Sequence, residues 1–372
     1  MADPDRYIGL MSGTSIDAVD AVLVEFTSST PRILAACTQS IPANLHRDIL
    51  SLCLPGADTL DLLGSTDRAL AILFADTALA LLSQTGLQAD QITAIGSHGQ
   101  TVRHRPNGAH PFTLQIADPN LIAARTGITT VADFRRKDMA LGGQGAPLVP
   151  AFHKAVFQHQ HHNRAIINIG GIANITWIPA SGAITGFDTG PGNCLMDAWI
   201  RQHTGHAFDA NGAWAASGHV DQTLLDRLLA HPFVPRPAPK STGREEFNLP
   251  WLDSVLNTLA AIPAPPDIQA TLALFTARSI AQGLASLPGN QHPDEVYVCG
   301  GGVHNGHLIG LLADILNPTP VRSTAAAGID PGHVEGAAFA WLARQTLHRL
   351  PGSLAAVTGA SRDTVLGTIC FP

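Results

Sequence analysis

Three carboxylates stand beside residues small enough to let a ligand such as phosphate approach the chain. Asp188 lies in GFDTGPGN, at the end of an apolar strand and ahead of two glycines and a proline that precede a helix. A carboxylate next to the backbone donors of a helix start is placed to act as a general base. Taken singly, it suits an N-cap or Asx turn equally well. Asp17 and Asp20 follow the Ser-Gly-Thr-Ser turn of YIGLMSGTSIDAVDAVLVEF, three residues apart. Glycine and small hydroxyls let backbone N–H groups reach phosphate oxygens. The two aspartates then suit Mg²⁺, held through water and bridging to the phosphate. The same residues also make an ordinary hairpin turn.

Other turns repeat this chemistry. VYVCGGGVHNG sets Gly300, Gly301 and Gly302 between a strand and a helix, a geometry that admits adenosine or phosphates. NIGGIANIT supplies a second small-residue hairpin with Asn168, Gly170, Gly171 and Asn174. Polar residues for an uncharged or anionic substrate follow strands elsewhere: Ser97, His98 and Gln100 in SHGQTVRH, and Asp133, Arg135 and Arg136 in ADFRRKDMA. A charged loop in solvent is the plain reading of FRRKD. Glu335 opens the last long helix, where it either touches substrate or metal or complements the helix N-terminus. His153, His159, His161 and His162 form a cluster that raises zinc as an option, but no cysteine or HExxH accompanies it, so a histidine-rich surface helix end is expected.

These residues need a scaffold of alternating strands and helices. Apolar runs predict strands over 7–10, 18–26, 32–41, 92–97, 165–169, 172–178, 184–187 and 295–299. Helices are expected over 59–85, 119–126, 146–157, 193–203, 268–287 and 331–348. That order is α/β. Strand, small-residue turn, strand occurs near the start and again after residue 157, which points to two related domains facing each other across a cleft. The break is expected in LGGQGAPLVP, giving a first domain over 1–142, rejoined by a C-terminal helix over 349–372, and a second over 143–348. The stretch 231–250 reads as an ordered excursion within the second half.

Composition narrows the function classes. The chain has 372 residues, 45% hydrophobic, enough for two cores, and a net charge of −7 that offers no basic field to nucleic acid or anionic membrane. Five scattered cysteines without a CxxC pair read as reduced thiols of a cytoplasmic protein. The polar start MADPDR does not read as a signal peptide, and the longest apolar run, over 69–82, is too short to span a bilayer.

The segments GLMSGTSIDAVDAVL, GSHGQTVRH, TLQIADPNLIAARTGI, VADFRRKDMALGGQGAPLVPAFH, NIGGIANIT, GFDTGPGNCLMDAW, PKSTGREEFN, VCGGGVHN and EGAAFAWLA, in this order over nearly the whole chain, resemble the anhydro-N-acetylmuramic acid kinase family. The resemblance implies an actin-like, sugar-kinase type fold of two RNase H-like domains around a nucleotide cleft. It implies a homodimer that acts in cell-wall recycling, converting 1,6-anhydro-N-acetylmuramic acid, ATP and water into N-acetylmuramic acid 6-phosphate and ADP. By resemblance, Gly13, Thr14, Ser15, Ile16, Asp17, Ala18, Val19 and Asp20 form the ATP-binding stretch, and Asp188 stands at the family's catalytic aspartate. An arginine of FRRKD is expected to bind the lactyl carboxylate of the muramyl group. The family usually carries glycine where this chain has Ala18; should that position need positive φ, alanine costs about 1 kcal/mol. A non-enzymatic or chaperone-like ATPase of the same fold is the alternative. It would need a peptide-binding domain or filament surfaces, for which the chain has no spare length. A kinase for an ordinary amino sugar is a third option and would not need to activate water.

Overall fold

The computed structural model describes residues 5–13, 16–26, 31–54, 56, 59–238, 240–243, 245–287, 289 and 291–372. They form two compact units, the first running to Val156 and resuming with His333–Pro372, the second comprising Phe157–Gly332.

In the first unit, β1 (Arg6–Met11) and β2 (Ala18–Glu25) form an antiparallel hairpin, and β3 (Arg32–Ser40) extends it. On the other side β1 pairs in parallel with β4 (Ala94–Ser97). A hairpin of β5 (Gln100–Arg105) and β6 (Phe112–Ile116) follows, and then β7 (Thr130–Ala132) pairs in parallel with β4. A short strand, Thr368–Cys370, closes the edge beside β7. β1 is an apolar run buried over its middle, as a central strand covered on both faces requires. One face is packed by helix Leu60–Thr85, which starts at Thr59, whose side chain accepts the Leu62 N–H at 3.1 Å, and stops at left-handed Gly86. The other carries helix Val334–Leu347. A Cβ on Gly9 would overlap the Gly336 carbonyl, and one on Gly96 the Phe339 carbonyl, so this helix lies with its backbone directly on the sheet. The small residues of EGAAFAWLA are the other half of that close approach.

The second unit repeats the plan. Its sheet runs β10 (Thr185–Pro191), β9 (Ile172–Ile178), β8 (Arg164–Ile169), β11 (Glu295–Cys299), β12 (Val321–Ser323), with antiparallel pairs in the first half and parallel pairs in the second. Apart from the edge strand Thr368–Cys370, both sheets therefore have the order third, second, first, fourth, fifth. This is the doubled RNase H-like arrangement of the actin-like, sugar-kinase type fold, and the two small-residue hairpins open its two halves. The core of the second unit gathers Ile167, Ile169, Ala173, Ile175 and Phe187 from one face of the sheet against helix Pro265–Ala285.

Several expectations change. Residues 349–372 do not form a helix: Gly359 and Gly367 take positive φ, and only a four-residue turn, Ala355–Thr358, precedes the edge strand. Helix Val149–Phe157 begins after Pro147 and lies mostly in the first unit, as does helix Val334–Leu347, whose packing on β1 and β4 takes it away from the second half. Asp188 is within a strand rather than beyond its end, because β10 continues through a bulge at Gly190. Ala18 has no positive φ; the left-handed residue of that turn is Ile16, at 58°, so alanine at 18 brings no such strain.

Candidate active site

Sheet register builds the centre of the second unit. Asn168 on β8 is opposite Asn174 on β9, which is opposite Asp188 on β10. Directly paired residues point to one face, so three polar side chains form a row on the face opposite the apolar one. Each is half-buried, while Ile169, Ala173 and Phe187 beside them are in the core. Asp188 is then gripped from a distant segment. Its N–H donates to the Lys240 carbonyl at 3.1 Å, and its Oδ2 accepts the Ser241 hydroxyl at 3.0 Å and the Thr242 N–H at 2.9 Å. Burial pushes the Asp188 carboxyl above the usual carboxylate range, against the opposing pull of Thr242, Ser241 and the Lys240 charge. A carboxylate of raised proton affinity with one oxygen tied is suited to take a proton.

The glycines divide by task. A Cβ on Gly300 would overlap the Asn168 side chain, and one on Gly302 would overlap Ile169, so both serve packing against β8. Gly301 has only Asn193 nearby, at 3.9 Å, and it borders a cavity of about 380 Å³. Asn193, Met196, Phe208, Asn211, His304 and Asn305 share that lining, and sequence reasoning named none of them. Phe208, 62% exposed in a loop without periodicity, left no signal beyond its aromatic ring. Gly170 is also open, and the carbonyls of Gly170 and Gly171 accept N–H groups from Asn193 and Gly192 at 2.8 and 2.9 Å. The β8–β9 turn is thereby tied to the start of helix Cys194–Thr204.

In the first unit, polar groups collect at the carboxyl ends of the parallel strands β1 and β4, where open α/β sheets bind ligands. Ser12 and Ser97 hydroxyls and Gln100 Oε1 are buried without a hydrogen-bond partner among the described residues. Buried polar atoms left unpaired are uncommon, and a ligand satisfies them. His98 Nε2 lies 2.8 and 3.2 Å from Arg135 Nη2 and Nε and accepts from the guanidinium, while Arg135 Nη1 donates to the Gly145 carbonyl at 2.7 Å. Burial, then the Arg135 charge, hold His98 well below its ordinary value, so it is neutral. Burial also lowers Arg135 to about 10, opposed by Glu335 and Asp138. Glu335, in the first turn of its helix, thus acts on Arg135 through charge. Arg136 is exposed and donates to Asp133, at 2.8 Å, beside a concavity of about 80 Å³ shared by His98, Gly99, Ala117 and Asp133. Asp138, fully buried, accepts the Gly145 N–H and the Thr358 hydroxyl, a structural role within the FRRKD loop.

The stretch 13–20 is only partly available. Thr14 and Ser15 lie outside the described residues. Ile16 and Val19 are buried in the core, and Ala18, Val19 and Asp20 belong to β2. Gly13 accepts the Ile16 N–H at 3.2 Å, Asp17 is exposed, and Asp20 Oδ1 accepts the Thr38 hydroxyl at 2.6 Å. Among the described residues no group of three or more His, Cys, Asp or Glu side chains is arranged to hold a metal, the histidine cluster included. No helix among them is long and apolar enough to cross a membrane.

Comparison with known proteins brings these features together. The family model described as anhydro-N-acetylmuramic acid kinase matches residues 5–372. The chain is 54% identical over 363 residues to the anhydro-N-acetylmuramic acid kinase of Shewanella halifaxensis, covering 97% of each chain. It is 52% identical over 370 residues to that of Photobacterium profundum, covering 98% of each. Among solved structures it is similar, at 14% identity and a TM-score of 0.46, to the activator of the 2-hydroxyisocaproyl-CoA dehydratase from Clostridium difficile with bound ADPNP, over 90% of this chain and 92% of that one. The chain belongs to the anhydro-N-acetylmuramic acid kinase family and is a kinase.

Proposed function

We propose that the protein hydrolyses the 1,6-anhydro bond of 1,6-anhydro-N-acetylmuramic acid and phosphorylates O6, giving N-acetylmuramic acid 6-phosphate and ADP in cell-wall recycling. The observation that carries this reading is the state of Asp188: a carboxylate of raised proton affinity whose Oδ2 is tied by Ser241 and Thr242 and whose Oδ1 accepts no hydrogen bond from the described residues. In the substrate O6 is bonded to C1, so it has to be released before it can be phosphorylated. Asp188 Oδ1 takes a proton from water; the water oxygen bonds to C1, the C1–O6 bond breaks, and O6 takes that electron pair to bond the γ-phosphorus as the bond from that phosphorus to the β–γ bridging oxygen breaks and ADP leaves. ATP with Mg²⁺ supplies the electrophile and neutralises phosphate charge, so the protein chiefly positions groups.

Gly301, Gly170 and the cavity beside Phe208 fit the adenosine half of ATP, since both glycines leave open the space a side chain would take. Asp17 and Asp20 are the groups that would hold Mg²⁺; Asp17 is exposed and Asp20 keeps one oxygen clear of Thr38, which fits a cation that retains most of its waters. Ser12, Ser97 and Gln100 would hydrogen-bond sugar hydroxyls. Arg135 is largely engaged by His98 and Gly145, so exposed Arg136 is the better partner for the lactyl carboxylate. A cytoplasmic homodimer completes the reading, on the family resemblance.

Run in ¹⁸O-water, the reaction is expected to place label on the anomeric oxygen at the initial rate, with O6 of the sugar retained in the phosphate ester. Asp188→Asn is expected to lower turnover by about 10²-fold or more with substrate binding retained. Label entering phosphate first, or near-normal turnover in the variant, would remove Asp188 from this role.

A further inference from the structure

Asp188 is held by three consecutive residues, and two of them reach its side chain from 53 and 54 positions away. Their tasks differ. Lys240 anchors the run: it is buried, and its ammonium donates to the Phe233 and Val234 carbonyls at 3.1 and 2.8 Å while lying 4.7 Å from the centre of the Phe233 ring. Thr242 donates its N–H to Asp188 Oδ2, and its hydroxyl donates to Glu246 Oε2 at 2.5 Å. Ser241 is exposed, and the one side-chain hydrogen bond it makes among the described residues is to Asp188 Oδ2. Nothing in the core depends on that hydroxyl.

We propose that Ser241 is a positioning residue for the proton transfer: with the Thr242 N–H it fixes Asp188 Oδ2, so that Oδ1 alone is presented to the attacking water. The inference rests on the reading of Asp188 as the base. A freely rotating carboxylate would divide its two oxygens between orientations, whereas two donors on one oxygen select a single one. Both donors also favour the ionised form that a base must have. Among the described residues the other charged groups acting on Asp188 are Lys240, which opposes protonation, and Glu245, which favours it; Glu246 is reached through Thr242 and lies 3.9 Å from His231. Across the sheet Asp188 faces neutral Asn174.

The test is the pH dependence of kcat/KM for the full-length protein with ATP, Mg²⁺ and 1,6-anhydro-N-acetylmuramic acid, in the wild type, Ser241→Ala, Ser241→Thr and Asp188→Asn. In Ser241→Ala the acid limb is expected to move up by about half to one pH unit, because one donor to the ionised carboxylate is gone and water replaces it only in part. Ser241→Thr keeps a hydroxyl and is expected to restore the wild-type limb. An inactive Asp188→Asn together with a Ser241→Ala limb that stays in place, whether activity is unchanged or falls equally at every pH, would overturn the role of Ser241 alone. A near-normal Asp188→Asn would remove the base and this inference with it.

Discussion

A carboxylate kept above its ordinary proton affinity is a charge held in an unfavourable place, and Asp188 is that residue here. A group whose proton affinity is raised by folding adds stability only while protonated, below its unfolded value, and that stability is lost as pH rises through the folded value. At pH 7 ionised Asp188 therefore weakens the fold, and Asp188→Asn, which keeps the size and an acceptor for Thr242, is expected to raise the melting temperature by about 1–3 °C. The gain should shrink between pH 7 and pH 4, as the wild-type carboxyl takes up its proton. Thermal unfolding of both proteins at the two pH values tests this, and a variant that melts below the wild type at pH 7 would contradict it. Asp188 was legible because a lone carboxylate between an apolar run and GPG is unusual in composition. Its register with Asn168 and Asn174 was not, since no local pattern fixes how β10 aligns on β9 or β9 on β8. Ser241 and Thr242 were hidden for a different reason: only tertiary folding brings residues 240–242 to Asp188, and no local period encodes that contact.

At the scale of elements, the helix Val334–Leu347 is set by two glycines in strands that otherwise read as ordinary apolar runs. A methyl on Gly9 would meet backbone atoms of Gly336 and Ala340, which cannot turn aside as a side chain does. Gly9→Ala is expected to destabilise the first unit by about 3 kcal/mol or more. Gly336→Ala meets only the Val22 side chain, and alanine favours the helix, so its effect should be smaller. Urea unfolding of the two variants measures the difference; a Gly9→Ala protein within about 1 kcal/mol of the wild type would mean that the helix is free to shift. The helix itself was readable from its run of alanines and aromatics, and the hairpins of both units from their small-residue turns. The C-terminal strand was not, because three residues are too few to show alternation and its pairing with β7 joins distant parts of the chain. The β5–β6 hairpin is signalled in the sequence only by the Pro-Asn-Gly turn inside RHRPNGAHPF, where Gly108 takes positive φ.

For the whole molecule, the two units have separate cores and different titratable groups inside them. Burial holds His98, His104 and His153 in the first unit neutral, His98 well below its ordinary value, His104 at about 4 and His153 at about 3. A histidine whose proton affinity is lowered by folding contributes stability that is present above its unfolded value, near 6.5, and is lost as pH falls toward the folded value. Each such residue costs about 1.4 kcal/mol per pH unit over that window, so the three together cost the first unit about 4 kcal/mol per unit of acidification. In the second unit, burial lowers His231 too, but Glu246 opposes the shift, and Asp188 gains stability on protonation. Acid is therefore expected to weaken the first unit before the second. Scanning calorimetry should resolve overlapping transitions, and the one that Gly9→Ala moves at pH 7 identifies the first unit. Between pH 7 and pH 5 that transition is expected to fall by several degrees more than the other, since only histidines, and not ordinary carboxylates, titrate across most of this range. Replacing His153 with Gln, which retains polar atoms but cannot take up a proton there, should remove about a third of the excess fall. Equal displacement of both transitions, or a larger shift in the one that Gly9→Ala leaves in place, would show that these buried histidines do not govern the acid response.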